Sequence, residues 1–151
     1  LRAPMSTVAE EAWFERVTAG QGKDGWFFVA CRLEDDRPIG TIGLMELDHA
    51  NGSAGLGIAV GDPADQGRGY GTDMLLAIVG WAFDHLRLER IWLDVYDVNP
   101  GARRLYERVG FVLEGTLRHA VFREGRYGDV HRMAILADEW RARRGPAGGD
   151  G

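Results

Sequence analysis

Three of the six residues in Gln66-Gly67-Arg68-Gly69-Tyr70-Gly71 are glycine. A loop with so little side-chain bulk can turn its backbone N–H groups inward around an anion. Leu75, Val79, Ala82 and Leu86 then fall on one face of a helix predicted over residues 72–86. The positive end of that helix's dipole points back at the loop. Phosphate is the anion such an arrangement suits. The loop lacks the Gly-Lys-Ser/Thr of a P-loop, and its Gly67-x-Gly69-x-Gly71 spacing is not the dinucleotide G-x-G-x-x-G. A nucleotide-binding unit is therefore disfavoured. Taken alone, the loop suits a purely structural turn equally well.

The elements around the loop are legible from periodicity and punctuation. Thr7 and Glu10 predict a capping box for a first helix reaching Val17, with Ala9, Trp13 and Val17 inward. Residues 18–25 hold three glycines and predict a loop. Strands are predicted over 26–33, 39–47 and 56–60, with Asn51-Gly52 as a hairpin turn between the second and third. The third strand runs into the glycine loop, and a further strand is predicted over 90–96. A strand, a long helix and a strand imply one right-handed parallel crossover. Asn99 and Pro100 open another helix as N-cap and first residue, and Gly110 closes it. Ala102, Leu105, Tyr106 and Val109 share one face of it. Residues 111–122 and 127–136 predict a closing antiparallel hairpin. The expected fold is α/β, a mixed and mostly antiparallel sheet with helices on both faces. A single domain is expected over residues 1–140, followed by a disordered tail over 141–151.

Composition narrows the function classes. The chain has 151 residues and a formal charge of −5; residues 141–151 carry three Arg and one Asp, so residues 1–140 sum to −7. An acidic body argues against nucleic acid and suits cationic small molecules such as amines. No apolar run approaches the ~20 residues that span a bilayer, and no signal-peptide pattern opens the chain. A cytoplasmic protein without membrane partners is expected. Cys31 stands alone in an apolar run and predicts a buried strand thiol. His49, His85, His119 and His131 lack metal-ligand spacing, so no metal is expected.

Two motifs, in order, add a resemblance. Gln66-x-x-Gly69-x-Gly71 is similar to the Q/R-x-x-G-x-G/A signature of the GNAT superfamily of N-acetyltransferases. Asn99-Pro100-Gly101-Ala102-Arg103-Arg104-Leu105-Tyr106-Glu107-Arg108-Val109-Gly110-Phe111 resembles that superfamily's N-x-x-A-x-x-x-Y-E-x-x-G-F segment. Glu114-Gly115, Arg118, Asp129 and Met133 look like the branch holding ribosomal-protein N-terminal and polyamine acetyltransferases. The resemblance covers roughly residues 26–140. Members usually carry a strand and a helix ahead of the point where this sequence begins.

The resemblance implies acetyl-CoA as co-substrate and an amine acceptor: a protein N-terminus, a polyamine or another small amine. The backbone of Gly67, Arg68, Gly69, Tyr70 and Gly71, with the Thr72 region at the helix start, would hold the pyrophosphate, and side chains of Gln66 and Arg68 would add contacts. Ile58, Ala59 and Val60 would offer backbone groups to the pantetheine arm in a gap beside the 90–96 strand. Asn99 would touch that arm as well as cap its helix. Tyr106 would be the general acid that protonates the departing thiolate. Relatives often place a Glu base where this chain has Gly55, which leaves Glu46, Asp48, Glu114 and Asp129 as candidates. Arg103 and Arg104 are candidates for the 3′-phosphate, and Trp26, Trp92 and Tyr127 for the acceptor pocket. The edge of the closing hairpin suits a homodimer. The alternative from another class is an acyl-CoA sensor or interaction module without turnover.

Overall fold

The computed structural model describes residues 11–12, 15–16, 18–61 and 63–145. Six strands form one mixed sheet: β1 (Trp26–Cys31), β2 (Pro38–Asp48), β3 (Ser53–Val60), β4 (Arg90–Tyr96), β5 (Val112–Arg123) and β6 (Arg126–Leu136). Their spatial order is β1-β2-β3-β4-β6-β5. Among the described residues three complete helices accompany them: α1 (Tyr70–His85), α2 (Pro100–Val109) and α3 (Ala137–Arg144). Among the described strands only β3 and β4 run parallel, joined through α1; every other neighbouring pair is antiparallel. This is the expected α/β mixed sheet.

The sheet is two antiparallel blocks meeting at one junction. Strands β1, β2 and β3 make the first block. The hairpin between β2 and β3 is tied by Asp48, whose carboxylate accepts from the Asn51 backbone at 2.9 Å and from its side-chain amide at 2.7 Å. Gly52 takes the positive φ of 65° that this turn requires. Strands β4, β6 and β5 make the second block, with β4 paired to β6 over its whole length.

Leu44, Leu75, Val79, Ile91, Leu93, Met133 and Ile135 form the centre of one core, each almost wholly buried. The expected inward face of α1 is the observed one, and Val109, Leu105 and Tyr106 bring α2 to the same core. Residues 11–12, 15–16 and 18–19 are helical, and Arg16 and Gly20 border a small cavity of about 240 Å³ with Phe27 and Met45. Phe27 alternates with Trp26 and Phe28, which face Trp81 of α1, so this cavity lies on the opposite sheet face.

Several expectations change. Thr7, Ala9, Glu10, Trp13 and Val17 lie outside the described residues. The first loop starts later than expected, since Thr18 and Ala19 are still helical. Cys31 is exposed rather than buried. It ends edge strand β1 just after the register shifts at Ala30, and it borders an open groove beside α1 with Leu33 and Asp73. Helix α3 runs through Arg144, so it takes in the first four residues of the expected tail. Trp140 anchors it, packed on Gly80 and Phe83 of α1. No helix among the described residues is long and apolar enough to cross a membrane.

Candidate active site

The junction between the two blocks closes over only three residue pairs: Ser53↔Arg90, Ala54↔Ile91 and Gly55↔Trp92. Beyond them β3 stays paired with β2 as far as Val60, and β4 with β6 as far as Tyr96. Residues 56–60 and 93–96 therefore diverge from one another, each strand paired on one side among the described residues.

Which backbone groups face this gap follows from register. Gly61 N–H donates to Ile39 C=O at 3.0 Å. Hydrogen-bonded pairs recur every second residue in an antiparallel ladder, so Ala59 turns its N–H and C=O to β2. Ile58 and Val60 turn theirs to the gap, whereas Leu56 N–H completes the Gly55↔Trp92 pair. Asp97 N–H donates to Asp129 C=O at 3.1 Å, which by the same alternation directs Asp94 and Tyr96 backbone groups to the gap from β4. An extended ligand carrying amides meets unpaired donors and acceptors on both walls.

The carboxyl ends of β3 and β4 both open at the mouth of the gap, the usual ligand site where a parallel sheet parts. There β3 leads through the 3₁₀ turn Pro63–Asp65 into the glycine loop and α1. Gly67 and Gly69 take positive φ of 76° and 83°, and nothing lies within 4 Å of where their Cβ atoms would stand. Gly69 is the N-cap of α1 and offers no side-chain cap, so the first helical N–H groups keep no intrahelical partner and no side-chain cap. Gln66 and Arg68 are exposed, and Thr72 is half-buried within the first turn. The Tyr70 side chain lines a different space, a groove of about 710 Å³ between α1 and the β1–β2 turn, with Arg32, Leu33 and Asp73.

Across the mouth, Asn99 caps α2, its Oδ1 accepting from Ala102 N–H at 3.1 Å. A Cβ on Gly71 would stand 3.2 Å from Leu105 Cδ2. The start of α1 thus touches α2 one residue from Tyr106. The Tyr106 ring meets Phe111 edge-on, centroids 6.0 Å apart. Burial pushes its phenol pKa up from the usual value near 10, so the group carries its proton across the neutral range.

The carboxylates proposed as bases separate by environment. Asp48 ties the hairpin, and those hydrogen bonds lower its pKa. Glu114 is held by Arg90 at 2.6 Å and lowered in the same way. Asp129 accepts from His119 N–H at 2.9 Å. Glu46 sits at the β2 bulge with φ of 50°, and its charge acts on Arg132. Arg132 makes a two-point pair with Asp94 at 2.9 and 3.0 Å and lies 4.1 Å over the Trp92 ring. A Cβ on Gly55 would meet that ring at 2.8 Å. The indole fills the place where a side chain at position 55 would begin.

Other proposed residues lie elsewhere. Arg103 pairs with Glu107 at 3.0 Å along α2, and Arg104 is exposed. Trp26 stacks with Phe28 and meets Trp81 on the core face, and Tyr127 packs on Phe122 and His119 in the projecting hairpin. Sequence reasoning missed Asp65, the buried charged residue next to the loop, and its partner Arg37, 28 residues away. Only its place directly before Gln66 was visible in advance.

Residues 1–112 match the Acetyltransferase (GNAT) domain family. A prophage-derived uncharacterized N-acetyltransferase of Bacillus subtilis is 30% identical over 145 residues, covering 96% of this chain and 79% of that protein. A spermidine N(1)-acetyltransferase of Vibrio cholerae is 38% identical over 102 residues, covering 68% of this chain and 58% of that protein. The chain therefore spans less than two thirds of that relative's length. The crystal structure of spermidine N-acetyltransferase from Vibrio cholerae in complex with CoA and spermine superposes with a TM-score of 0.82 at 32% identity, over 89% of this chain and 78% of that one.

Proposed function

The chain belongs to the GNAT acetyltransferase family, and from that premise we propose that it moves an acetyl group from acetyl-CoA to a primary amine by direct attack within a ternary complex. The observation that carries this reading is the junction that opens after three pairs, with the glycine loop at its mouth and Tyr106 beside it. The pyrophosphate sits on the N–H groups of residues 67–72, where the α1 dipole favours negative charge. The pantetheine amides pair with the gap-facing groups of Ile58 and Val60, which also polarise the thioester oxygen. Ala59 contributes through its place in the β2 ladder. Asn99 lies at the end of the same gap.

The amine attacks the thioester carbon, and the tetrahedral intermediate collapses with loss of thiolate. Tyr106 gives that sulfur its proton. A thiol titrates near ~8.5 and a phenol near ~10; burial raises the phenol further, so donation is uphill yet feasible within a hydrogen bond. Of the four carboxylates, Glu46 is the one on the side of Gly55 and Trp92 that is not already held in an ion pair, turn or backbone hydrogen bond, and we assign it to the incoming amine's proton.

The charge of −7 on residues 1–140 favours a cationic acceptor. Free-CoA release across peptides with free N-termini, polyamines and aminoglycosides tests the reading. Release with at least one of them is expected. CoA binding with no release from any acceptor would instead support a sensor or interaction module. For assembly, strand β5 forms an open edge carrying exposed Val112, Leu113, Leu117 and Phe122, which suits a homodimer. Sedimentation at micromolar concentration showing only monomer would remove that assembly.

A further inference from the structure

Asp65 is the one buried charged residue among those described, with 2% of its surface exposed. It closes the 3₁₀ turn that delivers the chain to Gln66. Arg37 grips it at two points, Nη2 donating to Oδ1 at 2.6 Å and Nη1 to Oδ2 at 3.1 Å. Arg37 is itself fixed: its backbone N–H donates to Asp35 Oδ1 at 3.2 Å, its C=O accepts from Arg32 N–H at 2.8 Å, and Arg32 pairs with Asp35. Arg68, inside the glycine loop, and Arg32 also act on the Asp65 charge.

We propose that Arg37 is a positioning residue for the phosphate loop: held on the β1–β2 turn, it cancels a carboxylate in the turn before Gln66 that would otherwise repel the phosphates of the co-substrate. This rests on the acetyl-CoA reading of the same loop. The physical reason is local. A phosphate cradle gains from every N–H and cation aimed into it and loses from any uncompensated anion beside it. Asp65 is one residue from that cradle. Paired with Arg37 it adds no net charge, and Arg68 stays available to the ligand. Unpaired, it competes with the phosphates for Arg68.

A mere mechanical anchor and this charge cancellation give different orders of effect. Breaking the pair from the cationic side leaves the buried Asp65 carboxylate bare, whereas breaking it from the anionic side leaves only a half-exposed guanidinium. Titration of CoA into the full chain is the test, with thermal unfolding of each variant as the folding control. Arg37→Gln is expected to weaken CoA binding about tenfold or more, while Asp65→Asn and the double variant each stay within about threefold. Kinetics should follow with a higher KM for acetyl-CoA and little change in kcat. Equal losses in all three folded variants, or no loss in Arg37→Gln, would overturn the proposal while leaving the acetyl-CoA reading standing. Should Arg37→Gln fail to fold, Arg37→Lys decides: it keeps the charge, stays within about threefold on this account, and a tenfold loss in it refutes the cancellation. A wild-type chain that binds no CoA would overturn the reading and the clamp together.

Discussion

The two ends of the β3–β4 junction are built from the same two strands and behave oppositely. At residues 53–55 β3 pairs with β4, Gly55 leaves room for the Trp92 ring, and the blocks are zipped. At residues 56–60 the same strand keeps only β2, and its remaining groups face a gap. The closed end joins the blocks; the open end leaves extended backbone ready to pair with something that is not protein. Binding here comes from a ladder left unfinished, and the loop at its mouth supplies the charge-bearing half of the site.

The largest expected effect attacks the mouth of the open end. Gly69 has φ of 83°, and no protein atom lies within 4 Å of its Cβ position. Gly69→Val puts a β-branched side chain into a left-handed conformation, at a cost of about 1–2 kcal/mol, and fills the space assigned to phosphate. CoA affinity should fall by about 100-fold or more, as calorimetric titration would measure. Binding within twofold of wild type would remove the loop from the site. Next in size is the chemical step beside that mouth. Tyr106→Phe should lower kcat by about 100-fold while CoA affinity changes only a few-fold, since the ring still packs on Phe111. Loss of affinity with kcat retained would make Tyr106 a packing residue instead.

How much of this contrast was legible in the sequence depends on the range of the forces involved. Strand β4 and helix α2 stood out because their signals are local: Asn99, Pro100 and Gly110 each do their work within a few residues. The start of β3 at Ser53 was not legible, since Ser53, Ala54 and Gly55 have weak strand preferences and are held by their partners in β2 and β4. Helix α3 has Leu136 at its N-cap, and the signal that could have found it is Glu139, whose carboxylate accepts from Leu136 N–H at 3.0 Å. Of the site, the glycine loop, Asn99 and Tyr106 could be read from motifs. The Arg37–Asp65 pair and the Trp92 ring over Gly55 could not, because each joins residues far apart in sequence, and no local pattern encodes such a meeting.

The closed end offers a sharper probe. A Cβ at position 55 would stand 2.8, 3.0 and 3.2 Å from three atoms of the Trp92 ring. Gly55→Ala must push the indole or part the strands, and overpacking of this kind costs about 1–3 kcal/mol. The ring is stacked under Arg132, itself held by Asp94, so it yields less easily than a free side chain. Thermal unfolding should show the loss, and Trp92→Leu in the same chain should recover part of it, the non-additivity expected of residues in contact. Additive losses would mean that the ring does not set the limit of the zipped end.

The smallest expected effect separates two carboxylates on either side of that end. Glu46 lies at the bulge of β2, in the first block; Glu114 lies on β5, in the second, paired with Arg90. A base must be free to accept a proton near neutral pH. Arg90 holds Glu114 below the usual carboxylate range, which stabilises its charged form and weakens it as a base. Glu46→Gln should therefore lower kcat/KM by about three- to tenfold at pH 7, less than the full ~100-fold of a strong general base because water can also remove the proton. Glu114→Gln should leave the rate within about twofold and remove only a half-exposed ion pair, worth about 1 kcal/mol or less. The opposite order of rates would move the acceptor's proton path from the β2 side of the junction to the β5 side, and with it the face from which the amine enters.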